Sequence, residues 1–416
     1  MTAPFTKLPS TATITPSSFR VAIPDEQLSD LKTLLRLSRT APQTYENLQE
    51  DGRYGVTHKW LSTMKEEWLN NFDWRAVEEH ANIFPQYTTE IEGLTIHFAA
   101  LFSEKADAVP IVLLHGWPGS YFEFLPLLQL FKDEYSPSTL PYHLIVPSLP
   151  GYTFSSGPPL DRDFKNADSA RIVDKLMRGL GFSGGYVSQG GDIGSTVARI
   201  LAVGYNSCKA VHLNFCPLVK RPEGISDEYH NELEKRGFER SNWFLTYGKA
   251  YAEEHGTKPA TIGHVLASSP LALLAWIGEK YLDWPDTPFS KHKILELVTL
   301  YWFTESFPRA IYPYRQTNPI PPGPSPFLNE LYIHKPFGFS YFPKELIPVP
   351  ESWVAKTGNL VYFKQHSEGG HFAALELPEK FKEDLSEFVT QVWSSASKTY
   401  LALRYRSPPT AKTAQK

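Results

Sequence analysis

The stretch YVSQGGDIGSTVARI, residues 186–200, reads as a short apolar strand, a glycine-rich turn and the opening of a helix. It restricts the fold more than any other segment. A strand that turns directly into a helix leaves little room for side chains at the bend, and Gly190, Gly191 and Gly194 meet that need. They also let the helix pack close against the strand it follows. At the apex stands Asp192, where the positive end of the helix dipole favours a negative charge. An aspartate there has two readings. It is a common helix N-cap, and it is also a carboxylate presented on a sharp turn, where a nucleophile would stand.

The flanking sequence says what kind of sheet this unit joins. The first 90 residues look helical and peripheral: PDEQLSDLKTLLRLS is one helix, and HKWLSTMKEEWLNNFDWRAVEEH is a second. From Thr89, LTIHFAAL, VPIVLL and YHLIVP read as strands, ADSARIVDKLMRGLG as a helix closed by Gly181, and AVHLNF as the strand after the elbow helix. That alternation predicts a mostly parallel sheet flanked by helices. Between about Pro217 and Pro326 the strands give way to three long helical stretches, closed by the stiff, proline-rich NPIPPGPSP. FGFSYF and NLVYFKQ then restore strand character ahead of the helix PEKFKEDLSEFVTQVW. The expected class is α/β, an α/β-hydrolase fold with a helical cap. Its parts are an N-terminal helical extension (1–90), a first core segment (91–216), the cap (217–326), a second core segment (327–400) and a tail (401–416).

Composition narrows the partners. A net charge of −4 over 416 residues argues against nucleic acid and against an anionic membrane surface. No apolar run reaches the roughly 18 residues of a membrane span, and the polar MTAPFTKLPSTATITPSS carries no apolar signal core. Cys208 and Cys216 form no C-x-x-C pair and fit reduced core residues of a cytoplasmic protein. The histidines show no metal spacing such as H-E-x-x-H, so no metal site is expected.

Three further stretches carry chemistry. HGWPGS follows the strand IVLL, and in α/β hydrolases that loop gives one backbone N–H to an oxyanion hole, the second coming from the residue after the nucleophile. Those residues here are Trp117 and Ile193. EGGHF places His371 in a loop after the last strand, where a base can reach the elbow from the sheet's carboxyl edge; His366 is the local competitor. The acid that orients the base lies in SYFPKELIPVPESW, which offers Glu345 and Glu351. Glu345 is preferred because it directly follows a strand, and a carboxylate bonded to one ring nitrogen fixes the tautomer. A literal G-x-S-x-G, GFSGG around Ser183, precedes its strand instead of following it and reads as a loop.

A carboxylate nucleophile attacks saturated carbon and leaves an alkyl ester, which water activated by histidine then splits. Alkyl halides and epoxides both fit. A halide wants N–H donors, commonly a tryptophan directly after the nucleophile, whereas Ile193 stands there. An epoxide oxygen leaves as an alkoxide and wants an acid, a task two tyrosine hydroxyls can share. HGWPGS, QGGDIGS, YAEEHGTKP, TLYW…YPYR, FPKEL and EGGHFAALELPE, with FDWRAVEEHANIFPQYTTEIEGLTIHF upstream, together resemble the microsomal-type epoxide hydrolase family. The likeness is greatest to its soluble fungal members and runs from about Phe19 to Trp393. It implies Asp192 as nucleophile, His371 as base, Glu345 as orienting acid, and Tyr251 and Tyr314 as proton donors to the epoxide oxygen. Tyr247 and Tyr312 are the neighbouring alternatives. Trp117 and Ile193 would line the pocket with the two tyrosines, Ile193 departing from the tryptophan of many members. The resemblance further implies a small hydrophobic epoxide and water as reactants, no cofactor, and no membrane anchor, and it admits a homodimer. Two rivals stand beside it: a haloalkane dehalogenase, disfavoured by Ile193 and the paired tyrosines, and a catalytically silent protein that binds a hydrophobic ligand.

Overall fold

Val109–Leu114 is buried at every position, the pattern of a strand covered on both faces. It is one of the inner strands of a nine-stranded sheet in the computed structural model of the chain, which describes residues 4–225, 231–317 and 331–404. The strands are β1 (Ser17–Phe19), β2 (Gln86–Ile91), β3 (Leu94–Leu101), β4 (Val109–Leu114), β5 (Tyr142–Pro147), β6 (Tyr186–Gly190), β7 (Cys208–Leu213), β8 (Ile333–Tyr341) and β9 (Gly358–Gln365). Their order across the sheet is β1-β2-β3-β5-β4-β6-β7-β8-β9. The pairs from β5 through β9 are parallel, while β1, β2, β3 and β5 pair antiparallel. This is an α/β-hydrolase sheet. The proline-rich linker expected at 318–326, and all but the first four residues of the expected tail, lie outside the described residues.

The N-terminal segment is more than a helical periphery. It does form α1 (Asp25–Leu37), α2 (His58–Asn70) and α3 (Trp74–Ala81). The single helix expected over His58–His80 is interrupted because Asp73 caps a new one, its side chain accepting from Arg75 N. But β1 extends the sheet at its edge, and β2 crosses the expected boundary at residue 90 to pair with β3 over its whole length. Phe5 and Val21 are buried in the common core.

Helices α4 (Leu125–Glu134), α5 (Asn166–Met177) and α6 (Asp192–Gly204) follow the core strands. Between β7 and β8 the elements among the described residues are helical: α7 (Glu232–Trp243), α8 (Ala250–Thr257), α9 (Pro259–Ala267), α10 (Pro270–Asp283), α11 (Lys291–Phe303), α12 (Ser306–Ala310) and α13 (Tyr314–Thr317). The long helical stretches expected here are broken by local signals. Ser269 accepts from Ala272 N and Pro270 opens the next helix, so α9 and α10 meet at a 117° bend. Among the described residues no single helix is long and apolar enough to cross a membrane, and α10, the longer arm of that bent pair, packs against α1, α2 and α11.

Candidate active site

The elbow is built by exclusion of side chains. A Cβ on Gly190 would lie 2.2 Å from the Gly194 carbonyl oxygen, and one on Gly194 would lie 2.2 Å from that of Leu114. No residue but glycine fits either place. The turn ends with Asp192 at φ 44°, a left-handed conformation costly for any residue with a side chain. Asp192 is therefore not an N-cap. It is the first helical residue of α6, Gly191 occupies the cap position, and the carboxylate projects away from the helix end.

Two groups meet that carboxylate. The Trp117 backbone N–H donates to Oδ1 at 2.8 Å, and His371 Nε2 lies 3.3 Å from Oδ2. The loop carrying Trp117 comes so close that a Cβ on Gly116 would overlap Asp192. It is pinned from both sides. His115, buried and kept neutral with its pKa lowered to about 4 by burial, accepts from Leu149 N through Nε2. From the cap, Tyr281 and Tyr301 donate their hydroxyls to the carbonyls of Pro118 and Gly119, both at 2.8 Å. Ile193 follows Asp192 in the first turn of α6, partly buried against the core, where the helix leaves its amides without internal partners.

His371 is held at both ends. Its Nδ1 bonds Glu345 Oε1 at 2.5 Å, and the same oxygen accepts from Leu346 N at 2.6 Å. Glu345 and His371 are both buried. The imidazole packs edge to face against Trp284 of the cap and Phe215 of the core. Burial opposes charge on the ring, but the Glu345 and Asp192 carboxylates outweigh it and push its pKa up to about 10. Glu376 fixes the loop: its carboxylate accepts from Gly370 N and Phe372 N, on either side of His371, and from Asp286 N of the cap. The glycines of EGGH allow this, since a Cβ on Gly370 would strike Trp284 O at 2.6 Å.

The tyrosines expected from the cap stand together. Tyr251 stacks on the Trp117 indole with centroids 5.1 Å apart, Tyr314 meets the same indole edge to face, and the two hydroxyls hydrogen-bond to each other. Both are buried, and desolvation, then the nearby charges and phenols, hold both pKa values well above the usual phenol range. The neighbouring alternatives lie elsewhere. Tyr247 is 76 % exposed, and Tyr312 spends its hydroxyl on Ser169 at 2.7 Å. His366 pairs with Asp384 at 2.6 Å, Glu351 is exposed at the start of a short helix, and Ser183 is an exposed loop residue. Sequence reasoning assigned no role to Tyr281, Tyr301 or Glu376, although Tyr301 stands in TLYW and Glu376 in EGGHFAALELPE; they act by reaching across from the cap or along the loop. Among the described residues no cluster of three His, Cys, Asp or Glu side chains is arranged to hold a metal ion.

A buried histidine–carboxylate pair facing an acidic side chain on the elbow of a parallel sheet defines the α/β-hydrolase class, with aspartate where serine is usual. Comparison with known proteins makes this narrower. Residues 109–215 match the alpha/beta hydrolase fold family and residues 16–124 match the epoxide hydrolase N terminus family. Epoxide hydrolase 1 of Sus scrofa is 31 % identical over 409 residues, covering 89 % of this chain and 88 % of its own. The solved structure of Aspergillus niger epoxide hydrolase is 65 % identical and superposes with a TM-score of 0.91, covering 94 % of this chain and 100 % of its own. Juvenile hormone epoxide hydrolase from the silkworm Bombyx mori is 25 % identical with a TM-score of 0.79, covering 92 % and 96 %. The chain belongs to the epoxide hydrolase family.

Proposed function

We propose that the protein converts small hydrophobic epoxides to vicinal diols in two steps, through an alkyl ester on Asp192. One observation carries the reading above the others: Asp192 sits on a left-handed elbow with Oδ1 held by Trp117 N–H at 2.8 Å and Oδ2 facing His371 Nε2 at 3.3 Å. In the first step the carboxylate attacks an oxirane carbon. The C–O bond breaks, and Tyr251 or Tyr314 gives its proton to the departing oxygen, a bond that strengthens as charge develops. In the second, His371, oriented by Glu345, takes a proton from water as the water oxygen attacks the ester carbonyl. The N–H groups of Trp117 and Ile193 receive the negative charge of the tetrahedral intermediate. Collapse breaks the C–O bond to the substrate, the departing oxygen takes the proton of the newly added hydroxyl, and the Asp192 carboxylate and the diol are released. We also place the protein in the cytoplasm, in keeping with buried free thiols at Cys208 and Cys216.

His371→Gln tests this. Given styrene oxide, the variant should accumulate an adduct on the peptide containing Asp192, seen by intact mass and peptide mapping. An adduct on another residue, or none, refutes the two-step reading.

A further inference from the structure

Glu123 has no part in the reaction as described, yet its carboxyl group lies within the same site. The sequence gives it an ordinary occupation. Ser120–Glu123 is an S-x-x-E capping box: the Ser120 hydroxyl accepts from Phe122 N, and the Glu123 carboxylate accepts from Ser120 N. Most capping boxes lie at the surface. This one is turned inward, folded so closely over Gly119 that a Cβ there would overlap Glu123 Oε1. A glycine after cis-Pro118 is what lets the carboxyl group in.

Beside it is a cavity of about 20 Å³, room for a single water molecule. Asp192, His371 and Glu123 are its three ionisable wall residues, and Gly191 and Asn214 complete the polar side. Leu114, Phe124 and Phe381 close it from the core, whereas neither Tyr251 nor Tyr314 lines it. Trp117, on whose indole both tyrosines pack, stands between it and them. The charges of His371, Asp192 and Glu345 are all felt at Glu123, whose burial pushes its pKa up to about 8.

We infer that this cavity seats the hydrolytic water and that Glu123 positions it, accepting one of its O–H bonds while His371 Nε2 accepts the other. This rests on the two-step reading above. The water proton facing His371 passes to Nε2, the water oxygen bonds to the Asp192 carbonyl carbon, and the second proton stays with oxygen while Glu123 holds its direction. Ring opening, performed from the tyrosine side, does not involve Glu123.

Rapid-quench measurements with styrene oxide separate the two steps, reading formation and decay of the Asp192 ester. In Glu123→Leu, decay should slow by about 10²-fold, the scale of a misplaced nucleophile, with formation changed by less than about threefold. Glu123→Gln keeps an acceptor for Ser120 N and serves if the leucine variant does not fold. Measured above pH 8, where Glu123 is ionised, its weaker acceptor should slow decay about tenfold, again with formation spared. Decay at the wild-type rate in either folded variant, or equal slowing of both steps, overturns the inference and leaves Glu123 a cap. Absence of any Asp192 ester in wild type and in His371→Gln instead overturns the two-step reading beneath it.

Discussion

Replacing Glu345 by glutamine isolates what its charge contributes. Oε1 accepts two bonds, from His371 Nδ1 and from Leu346 N, so the glutamine carbonyl is directed to that position by two donors. The tautomer of His371 is kept, unlike in a substitution that lets the ring turn. The new NH2 falls where Oε2 lies, a buried atom with no hydrogen-bond partner, so the amide donors are left unpaired at a cost of about 1–3 kcal/mol in stability. The kinetic cost is electrostatic. With the charge centres about 4 Å apart and an effective dielectric near 20, a full imidazolium loses about 4 kcal/mol. Half the charge, developed in a transition state, loses about 2 kcal/mol. Ester decay should therefore slow by about 30- to 10³-fold. Formation uses no proton on His371 and should stay within a few-fold. Single-turnover quench with styrene oxide reads both rates, and a melting curve reads the stability loss. Ester decay at the wild-type rate, or a matching loss in formation, would refute the assignment of Glu345 to the second step.

Two further outcomes follow from the same geometry. Tyr251→Phe and Tyr314→Phe should each slow ring opening about tenfold while leaving ester decay unchanged, because the other hydroxyl remains, and the double variant should lose far more than either; equal damage to both steps would make the pair structural. For stability against pH, His371 has a folded pKa of about 10, above its unfolded value of roughly 6.5. The stability it contributes is fully present below pH 6.5 or so and is lost as pH rises through about 10. Denaturant titrations of wild type against His371→Gln should show the gap between them shrinking over that window, and a gap that widens would reverse the sign of the coupling.

The elbow was legible from its glycine spacing: Gly190 must clear the Gly194 carbonyl within the same turn, although Gly194 itself answers to the Leu114 carbonyl on the neighbouring strand. The pairing of His371 with Glu345 was legible from chain order, each standing just after a strand of the parallel sheet. Other features depend on partners distant in sequence. Nothing local says that Ser17–Phe19 should be a strand; it becomes one because β2 presents a free edge 69 residues later, Ser17 pairing with Thr88 and Phe19 with Gln86. Tyr312 and Tyr314 are two residues apart in one short run, and only the placement of Ser169 against one and Tyr251 against the other tells them apart. The three long cap helices expected were divided after the π-helical segment Phe244–Gly248, at Ser269–Pro270 and at Glu305, which takes a left-handed conformation that its residue type does not announce.

On the two-step route we propose, the two carboxylates facing His371 have different futures, and that difference sets its order. In the free enzyme Asp192 and Glu345 together outweigh burial and keep a proton on the ring. A protonated ring cannot accept one from water. Ring opening turns Asp192 into a neutral ester, which removes both its charge and its hydrogen bond to Nε2, and leaves Glu345 alone against desolvation. The affinity of His371 for its proton falls at the moment a base is needed. The proton it then sheds has a destination, since the tyrosine that protonated the epoxide oxygen is one proton short. Hydrolysis next returns a proton from water to His371 and restores charge to Asp192, which again favours the imidazolium. Proton count and charge both close over the cycle with no group beyond those in the site. On this proposed route Asp192 would also control when His371 becomes competent as a base, which a serine on the same elbow, neutral before it reacts, could not do through charge.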